Sequence, residues 1–479
     1  MTLVLKIASY VAIAMLEVAA SSATRLVKCL ACSLFLLASA AATADDASLP
    51  TQIVDLANKL DGSHPGFRAF HAKGVVVEGS FKASPEAAQI SRATLFNGST
   101  IPVTVRFSDA SGMPNVADGS PGMTHGMAIK YHLPGGTDTD MVINDFKFFM
   151  VATGEDFRDL LQAIAASPPE APKPTKLDQF FASHPNAPKA LGTLATPDSF
   201  ADQEYHGINA FIFVSKTGQR QAVRYLLVPE KLVHLTPEEA AKQSPDFLFD
   251  ELTQRIARKP VVFHLKAQLA EPGDQTKDGG QPWPDDRKVV ELGVLTLNKL
   301  VPNSLEAEKK LLFMPTSLTD GIELSDDPLP VVRAAAYGVS FARRSSAQAA
   351  ASGGAATAAT APPQVAIGRT DLTHGQQLFA ANCAACHQTS GEGLPGAFPP
   401  LKGDTVVGNS DATEHIRVVL FGLQGKTINS VKYGSGMPPW AQLSDQDIAA
   451  VIDYERGAWD NHGKPITASD VAAVRAKGK

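Results

Sequence analysis

A chain of 479 residues exceeds what one hydrophobic core supports, so two or three domains and a composition break between them are expected. Hydrophobic residues at 44% and charged residues at 19% fit an ordinary soluble protein. The formal charge of −6 comes from mixed signs without a long basic run, which gives no electrostatic ground for a nucleic-acid partner.

The amino terminus carries a targeting pattern. Arg25 and Lys28 precede the apolar run "CLACSLFLLASAAA", and Ala42 and Ala44 stand at the −3 and −1 positions of a cleavage near Ala44. Residues 1–44 therefore read as an export signal, and Met15 would also begin a complete one. The run is too short to span a bilayer comfortably, so a periplasmic protein with no membrane span in the mature chain is expected. Cys29 and Cys32 leave with the signal, and the mature chain keeps only Cys383 and Cys386. No structural disulfide is then available, and stability must come from large cores.

Residues 45–344 form a large unit. Strands are expected at 74–81, 101–110, 126–133, 210–216, 222–228, 260–270 and 289–297, and helices at 154–166, 237–257 and 328–344. So many strands without regular βαβ alternation point to an antiparallel sheet or barrel with added helices, an α+β class. Residues 345–365, "SSAQAAASGGAATAATAPPQV", lack charge and bulk and read as a flexible linker rather than a helix, because Gly353, Gly354, Pro362 and Pro363 interrupt them. Residues 366–479 form the second, smaller unit.

Cys383-Ala384-Ala385-Cys386-His387 in that second unit has the spacing of c-type haem attachment: two thiols add to the vinyl groups and the adjacent His coordinates iron. A thioredoxin-like site would want a βαβ context and a zinc site two further ligands, and neither is present. Met437, in "GSGMPPW", is the candidate for the second axial position. Ser444 and Asp447 form a capping box for the helix that follows. The segment from about 369 to 460 resembles a class I cytochrome c. That resemblance implies a small all-helical domain holding a covalent haem c through Cys383 and Cys386, with His387 and Met437 as axial ligands.

Three stretches of the large unit carry chemistry. In "RFS", strand periodicity puts Arg106 and Ser108 on one face and Val103, Val105 and Phe107 on the other, and a buried Arg needs an anionic partner that the strand does not supply. In "RAFHAKG", Arg68 and His71 stand three apart just before a strand. In "DDPLPVVRAAAYGVSFARR", Asp326 or Asp327 caps a helix on which Arg333, Tyr337 and Arg344 share a face, and the Arg one turn from the phenol favours its ionised form.

Together with "GMAIKYHLPGG", "DFKFFM" and "WPDDRKVVELGVLTL", these stretches make the large unit similar to the catalase family in its short form, the catalase-related peroxidases. The resemblance implies an antiparallel β-barrel with surrounding helices around a non-covalent haem b. It implies Tyr337 as proximal iron ligand supported by Arg333, and His71 as distal acid/base supported by Ser108. Arg68, Arg106 and Arg344 would pair with the haem propionates. Long members place a distal Asn where this chain reads Ile143-Asn144-Asp145; direct alignment puts Asp145 on that position, and the neighbouring Asn144 is carried over as the catalytic amide.

The function these resemblances imply is a periplasmic peroxidase. It would reduce hydrogen peroxide, or a small organic peroxide, with electrons drawn through its own cytochrome domain from an upstream cytochrome or quinol-linked donor. Alternatives are a catalase that releases oxygen, and an electron-transfer protein whose large unit only binds haem. A homo-oligomer is compatible with every reading. Other histidines, His64, His125, His206 and His264, are expected to be structural or exposed.

Overall fold

Burial alternates along His125–Leu133 and Val261–Leu269 of the large unit, as expected of strands with one face on an apolar interior. The computed structural model describes residues 49–134, 137–352, 372–388, 390–393, 398–423, 427–428, 431–432, 437, 440–441 and 443–478. The expected export signal lies outside them. Among the described residues no helix is long and apolar enough to cross a membrane.

Ten strands form one antiparallel sheet: β1 (Gly74–Ala83), β2 (Thr100–Asp109), β3 (His125–Leu133), β4 (Thr137–Asn144), β5 (Tyr205–His206), β6 (Phe211–Val214), β7 (Arg220–Pro229), β8 (Val261–Leu269), β9 (Val289–Leu300) and β10 (Ile322–Leu324). The order β8-β9-β1-β2-β3-β4-β5-β7 returns to β8 through the pairing of Leu265 with Leu227, so eight strands close a barrel. The other two, β6 and β10, extend from β7. Closure leaves those eight without a free edge. Phe107 sits at the centre, its ring 5.5 Å from Phe200, 6.2 Å from Tyr205 and 6.3 Å from Phe263.

Helices α1 (Leu49–Asp61), α2 (Gly154–Ala165), α3 (Phe247–Arg258), α4 (Ser304–Lys310) and α5 (Leu329–Ser352) lie around the barrel. A second core of Phe146, Phe148, Leu160, Leu161 and Ile164 fills the space under α2. Thr153 starts α2 by accepting from Asp156 N at 3.1 Å, with Glu155 and Asp156 in the positive first turn. At the start of α5, Asp327 Oδ1 accepts from Leu329 N at 2.9 Å, which makes Asp327 the cap.

Three sequence expectations need correction. The single helix expected over 237–257 is two, Pro237–Ala240 and α3, because Pro245 offers no N–H and turns its predecessor away from helical geometry. The first residues of the expected linker, 345–352, prolong α5; alanine has the highest helix propensity and no breaker intervenes before Gly353. The rest of that segment lies outside the described residues. Lastly, β4 was not expected at all, since "TDTDMVIN" opens on residues with weak strand preference, yet it pairs with β3 from Leu133–Thr137 to Gly126–Asn144.

The carboxy-terminal unit has helices α6 (Leu372–Asn382), α7 (Thr413–Phe421), α8 (Asp445–Gly457) and α9 (Ala468–Lys477). The unit is helical as expected, with one minimal hairpin in which Thr427–Ile428 pairs with Val431–Lys432, and a single bridge between Leu423 and Met437. Phe379 of α6 packs its ring 5.3 Å from Tyr454 and 5.0 Å from Trp459. Arg456, 1% exposed, donates to Val407 O, Asn409 O and Lys464 O and so ties two irregular segments to α8.

Replacing Phe107 by Ala should cost about 3–5 kcal/mol, because the barrel interior cannot collapse onto the cavity. The denaturant midpoint of the large unit's transition checks this.

Candidate active site

Strand alternation that fills the barrel also dresses its outer face. On β2, Val103, Val105 and Phe107 join the interior core, while Arg106 and Ser108 turn out. On β3 the outward positions are Gly126 and Ala128, and on β4 Val142 and Asn144. Helices α2 and α5 roof this face and leave a cavity of about 240 Å³. One water needs roughly 10–15 Å³ by the same measure, so the space suits a body far larger than a peroxide.

His71 reaches the cavity from the approach to β1. Its backbone is left-handed, with φ of 55°, a conformation that a non-glycine residue keeps only where its surroundings enforce it. Arg106 Nη2 donates to His71 O at 2.8 Å and holds that bend. The ring nitrogen Nδ1 lies 3.0 Å from Ser108 Oγ. A Cβ at Gly126 would stand 2.8 Å from His71 Cε1 and 3.2 Å from Ser108 Oγ, so glycine is required for the pair to meet. Burial, ahead of the fields of Arg106, Arg333 and Arg68, pulls the His71 pKa down to about 3 and keeps the imidazole neutral.

The stretch Ile143-Asn144-Asp145 separates by side. Asn144 lines the cavity, its Oδ1 accepting from Phe146 N at 3.1 Å, which leaves the amide NH₂ as the donor for a ligand. Asp145 faces away and accepts from His125 N at 3.0 Å and from His125 Nδ1 at 2.9 Å, both groups being buried. His125 is thus part of a buried structural pair.

Helix α5 supplies another wall. Arg333 Nε and Nη2 donate to Tyr337 Oη at 3.2 and 3.1 Å, so the phenol oxygen is used as an acceptor. The guanidinium is itself held: Arg333 Nη1 donates to Asn209 Oδ1 at 2.5 Å, and Asn209 Nδ2 donates to Asp327 Oδ2 at 2.8 Å. A hydrogen-bonded chain thus runs from the helix cap to the phenol.

Arg68, Arg106 and Arg344 meet at one end of the cavity. Arg106 Nη2 and Nε lie 2.6 and 2.8 Å from Glu308 Oε2, and Arg68 Nη1 lies 3.4 Å from the same oxygen. Arg68 Nη2 and Arg344 Nη2 donate to Leu311 O at 2.8 and 2.6 Å. Burial, then the neighbouring guanidiniums, pushes Arg68 well down and Arg344 down to about 9. Arg344 Nε and Glu308 Oε1 are buried without a protein partner. Three guanidiniums against one carboxylate leave a net charge of +2, which a bound dianion would neutralise.

In the smaller unit, Cys383 is buried and Cys386 half-buried, one helical turn apart, and both are free thiols. Buried His387 has Nδ1 2.9 Å from Pro399 O; donation from Nδ1 fixes the tautomer that leaves Nε2 for a metal. Burial lowers the His387 pKa, which favours the ligating neutral form. Met437 packs on the core that contains Cys383, Trp440 and Ile448.

Residues 50–351 match the family described as Catalase. The chain belongs to the catalase family. A catalase-related peroxidase of Mycolicibacterium paratuberculosis is 36% identical over 301 residues, covering 62% of this chain and 95% of the relative. Residues 372–459 match the family described as Cytochrome c, and cytochrome c-552 of Thermus thermophilus is 42% identical over 112 residues, covering 22% of this chain and 85% of that protein. A crystal structure of a fungal catalase shares the fold with a TM-score of 0.53 at 20% identity, over 61% of this chain and 62% of that one.

Membership of the catalase family implies haem and peroxide chemistry, and the residues lining this cavity fit a haem. Ala128, Val142, Phe149 and Phe157 give a planar group an apolar lining, Tyr337 offers an oxygen donor, and the guanidinium cluster matches the charge of two propionates. All the residues expected at that site line this one cavity: Arg68, His71, Arg106, Ser108, Asn144, Arg333, Tyr337 and Arg344. Glu308 and Asn209 were missed. "LEAEKK" reads as a solvated helix face and its charge pattern hides the one carboxylate turned inward, while Asn209 sits in a stretch without periodicity.

Two outcomes follow from this electrostatics. The rate of the protein's reaction with peroxide should be level from about pH 5 to 8 and fall toward about pH 3, where His71 gains its proton; stopped-flow measurements across that range decide it. Glu308→Gln should destabilise the haem-free cavity by about 3–5 kcal/mol, and added haem should recover most of that loss, as unfolding with and without it will show.

Proposed function

We propose that the protein is a periplasmic peroxidase that reduces hydrogen peroxide to water at a haem b ligated by Tyr337, with electrons supplied through its carboxy-terminal haem c. The observation that carries this reading is the convergence of the His71–Ser108 pair, the Arg333–Tyr337 pair and the guanidinium cluster on one cavity, in a chain with a second haem-binding unit.

The balance is H₂O₂ + 2 H⁺ + 2 e⁻ → 2 H₂O: the O–O bond breaks and two O–H bonds form. A haem bound here would supply the redox chemistry of O–O cleavage, and a haem on the carboxy-terminal unit would supply one-electron transfer. Neutral His71 accepts the proton of one peroxide oxygen and returns it to the other, with Ser108 Oγ fixing the ring through Nδ1. The Asn144 amide donates to the peroxide and orients it. Tyr337 would hold the haem iron through its oxygen, which both Arg333 donors fix. Arg68, Arg106 and Arg344 would pair with the propionates. Cys383 and Cys386 would anchor the haem of the smaller unit, with His387 and Met437 as its iron ligands.

The upstream reductant is a one-electron donor such as a reduced cytochrome or a quinol-linked protein. Export rests on the pattern of Arg25, Lys28, Ala42 and Ala44. Covalent and extractable haem should be present in equal amounts.

When peroxide is added to fully reduced protein, the ferrous c-type band should decay with little oxygen evolved. Rapid oxygen release with an unchanged band would replace this reading with a catalase. His71→Ala should slow the decay by about 10²–10⁴-fold while leaving covalent haem content intact, and Tyr337→Phe should alter the extractable haem's spectrum.

A further inference from the structure

Leu312 belongs to both haem regions. It lines the cavity of the large unit beside Phe313 and Arg344, and it also packs onto the carboxy-terminal core that contains Cys383 and Met437. Nearby, a smaller apolar cluster joins Met314, Ala334, Ala335 and Tyr337 of the large unit to Cys386 and Phe398 of the other. Helix α5 is the shared element. Its Phe341, one turn beyond Tyr337, joins the carboxy-terminal core with its ring centre 6.4 Å from that of Trp440.

The contact has the features of a built interface. Met314 is fully buried, and Phe398, Phe341 and Trp440 are 4%, 9% and 9% exposed. Ala334, Ala335 and Gly338 form a shallow trough on α5, and Phe398 occupies it. A Cβ on Gly338 would lie 2.6 Å from Phe398 Cζ and 2.8 Å from Cε1. Glycine inside a helix costs about 1 kcal/mol against alanine, and here the ring explains its use. Because Tyr337 and Cys386 both pack against this cluster, the interface brings the proposed support of one haem near the proposed anchor of the other.

We infer that the carboxy-terminal unit is a docked rather than a loosely tethered donor, and that electrons cross between the two haem sites through this interface at Leu312, with Phe398 over Gly338 as the lock. This rests on the peroxidase reading above. Electron transfer weakens steeply with distance and with every unfilled gap, so a single packed side chain in contact with both regions favours the crossing. Each peroxide requires two crossings, one electron at a time, the one-electron donor restoring the carboxy-terminal centre after each, and solvent supplies the two protons.

Gly338→Leu in the full chain tests this. The substitution favours the helix and touches neither haem site's proposed ligands, but it removes the space Phe398 fills. X-ray scattering should show a larger radius of gyration than the wild type, and peroxide should oxidise the reduced c-type centre at least 10-fold more slowly. Reaction at the large unit with a small soluble reductant should be unchanged. Gly338→Leu combined with Phe398→Ala should return the compact profile and much of the rate. Unchanged scattering together with an unchanged rate would overturn the docking, and an expanded profile with an unchanged rate would overturn the crossing at Leu312. A wild-type protein whose c-type centre peroxide does not oxidise would defeat the peroxidase reading itself, and the crossing with it, while scattering alone would still decide the docking.

Discussion

Three guanidiniums buried around one carboxylate are the constraint on which the large unit depends. Arg68, Arg106 and Arg344 come from the approach to β1, from β2 and from α5, and Glu308 comes from α4, so four separate segments must close together to build the cluster. Burial on this scale is tolerable only with partners of opposite sign. Arg106 also fixes the left-handed turn at His71 through that residue's carbonyl, so the group that pairs with Glu308 at one end of the cavity also shapes the place of the His71–Ser108 pair. Fold and chemistry therefore share one electrostatic knot.

Much of this was legible in the residues. Strand periodicity alone separates Arg106 and Ser108 from Val103, Val105 and Phe107, because a pleated strand has two faces and only one enters the barrel. Helical spacing alone places Tyr337 one turn from Arg333. What pattern could not supply was long-range: that a carboxylate 202 residues after Arg106 would be its partner, or that Asn209 would hold Arg333, are facts of tertiary closure. The choice between Asn144 and Asp145 was likewise invisible to residue type. Strand parity decided it, since β4 sends alternate side chains to the cavity and Asp145, just past its end, turns to His125.

The smaller unit shows the same division. The attachment motif and Met437 are local signals, readable from spacing. The hydrogen bond from His387 to Pro399 and the triple anchorage of Arg456 depend on loops with no period to read. Composition misled once, at 345–352, where small residues suggested slack and alanine propensity instead carried the helix onward.

Helix α5 thus has two masters. Arg333, Tyr337 and Arg344 answer to the cavity, while Ala334, Ala335, Gly338 and Phe341 answer to the carboxy-terminal unit, and over these turns little of the helix is left for water. A family member that stops after this helix would have a bare greasy flank there. It must either recolour those positions with polar side chains or find another body to lay over them, so the history of the fusion should be written in a few residues of a single helix.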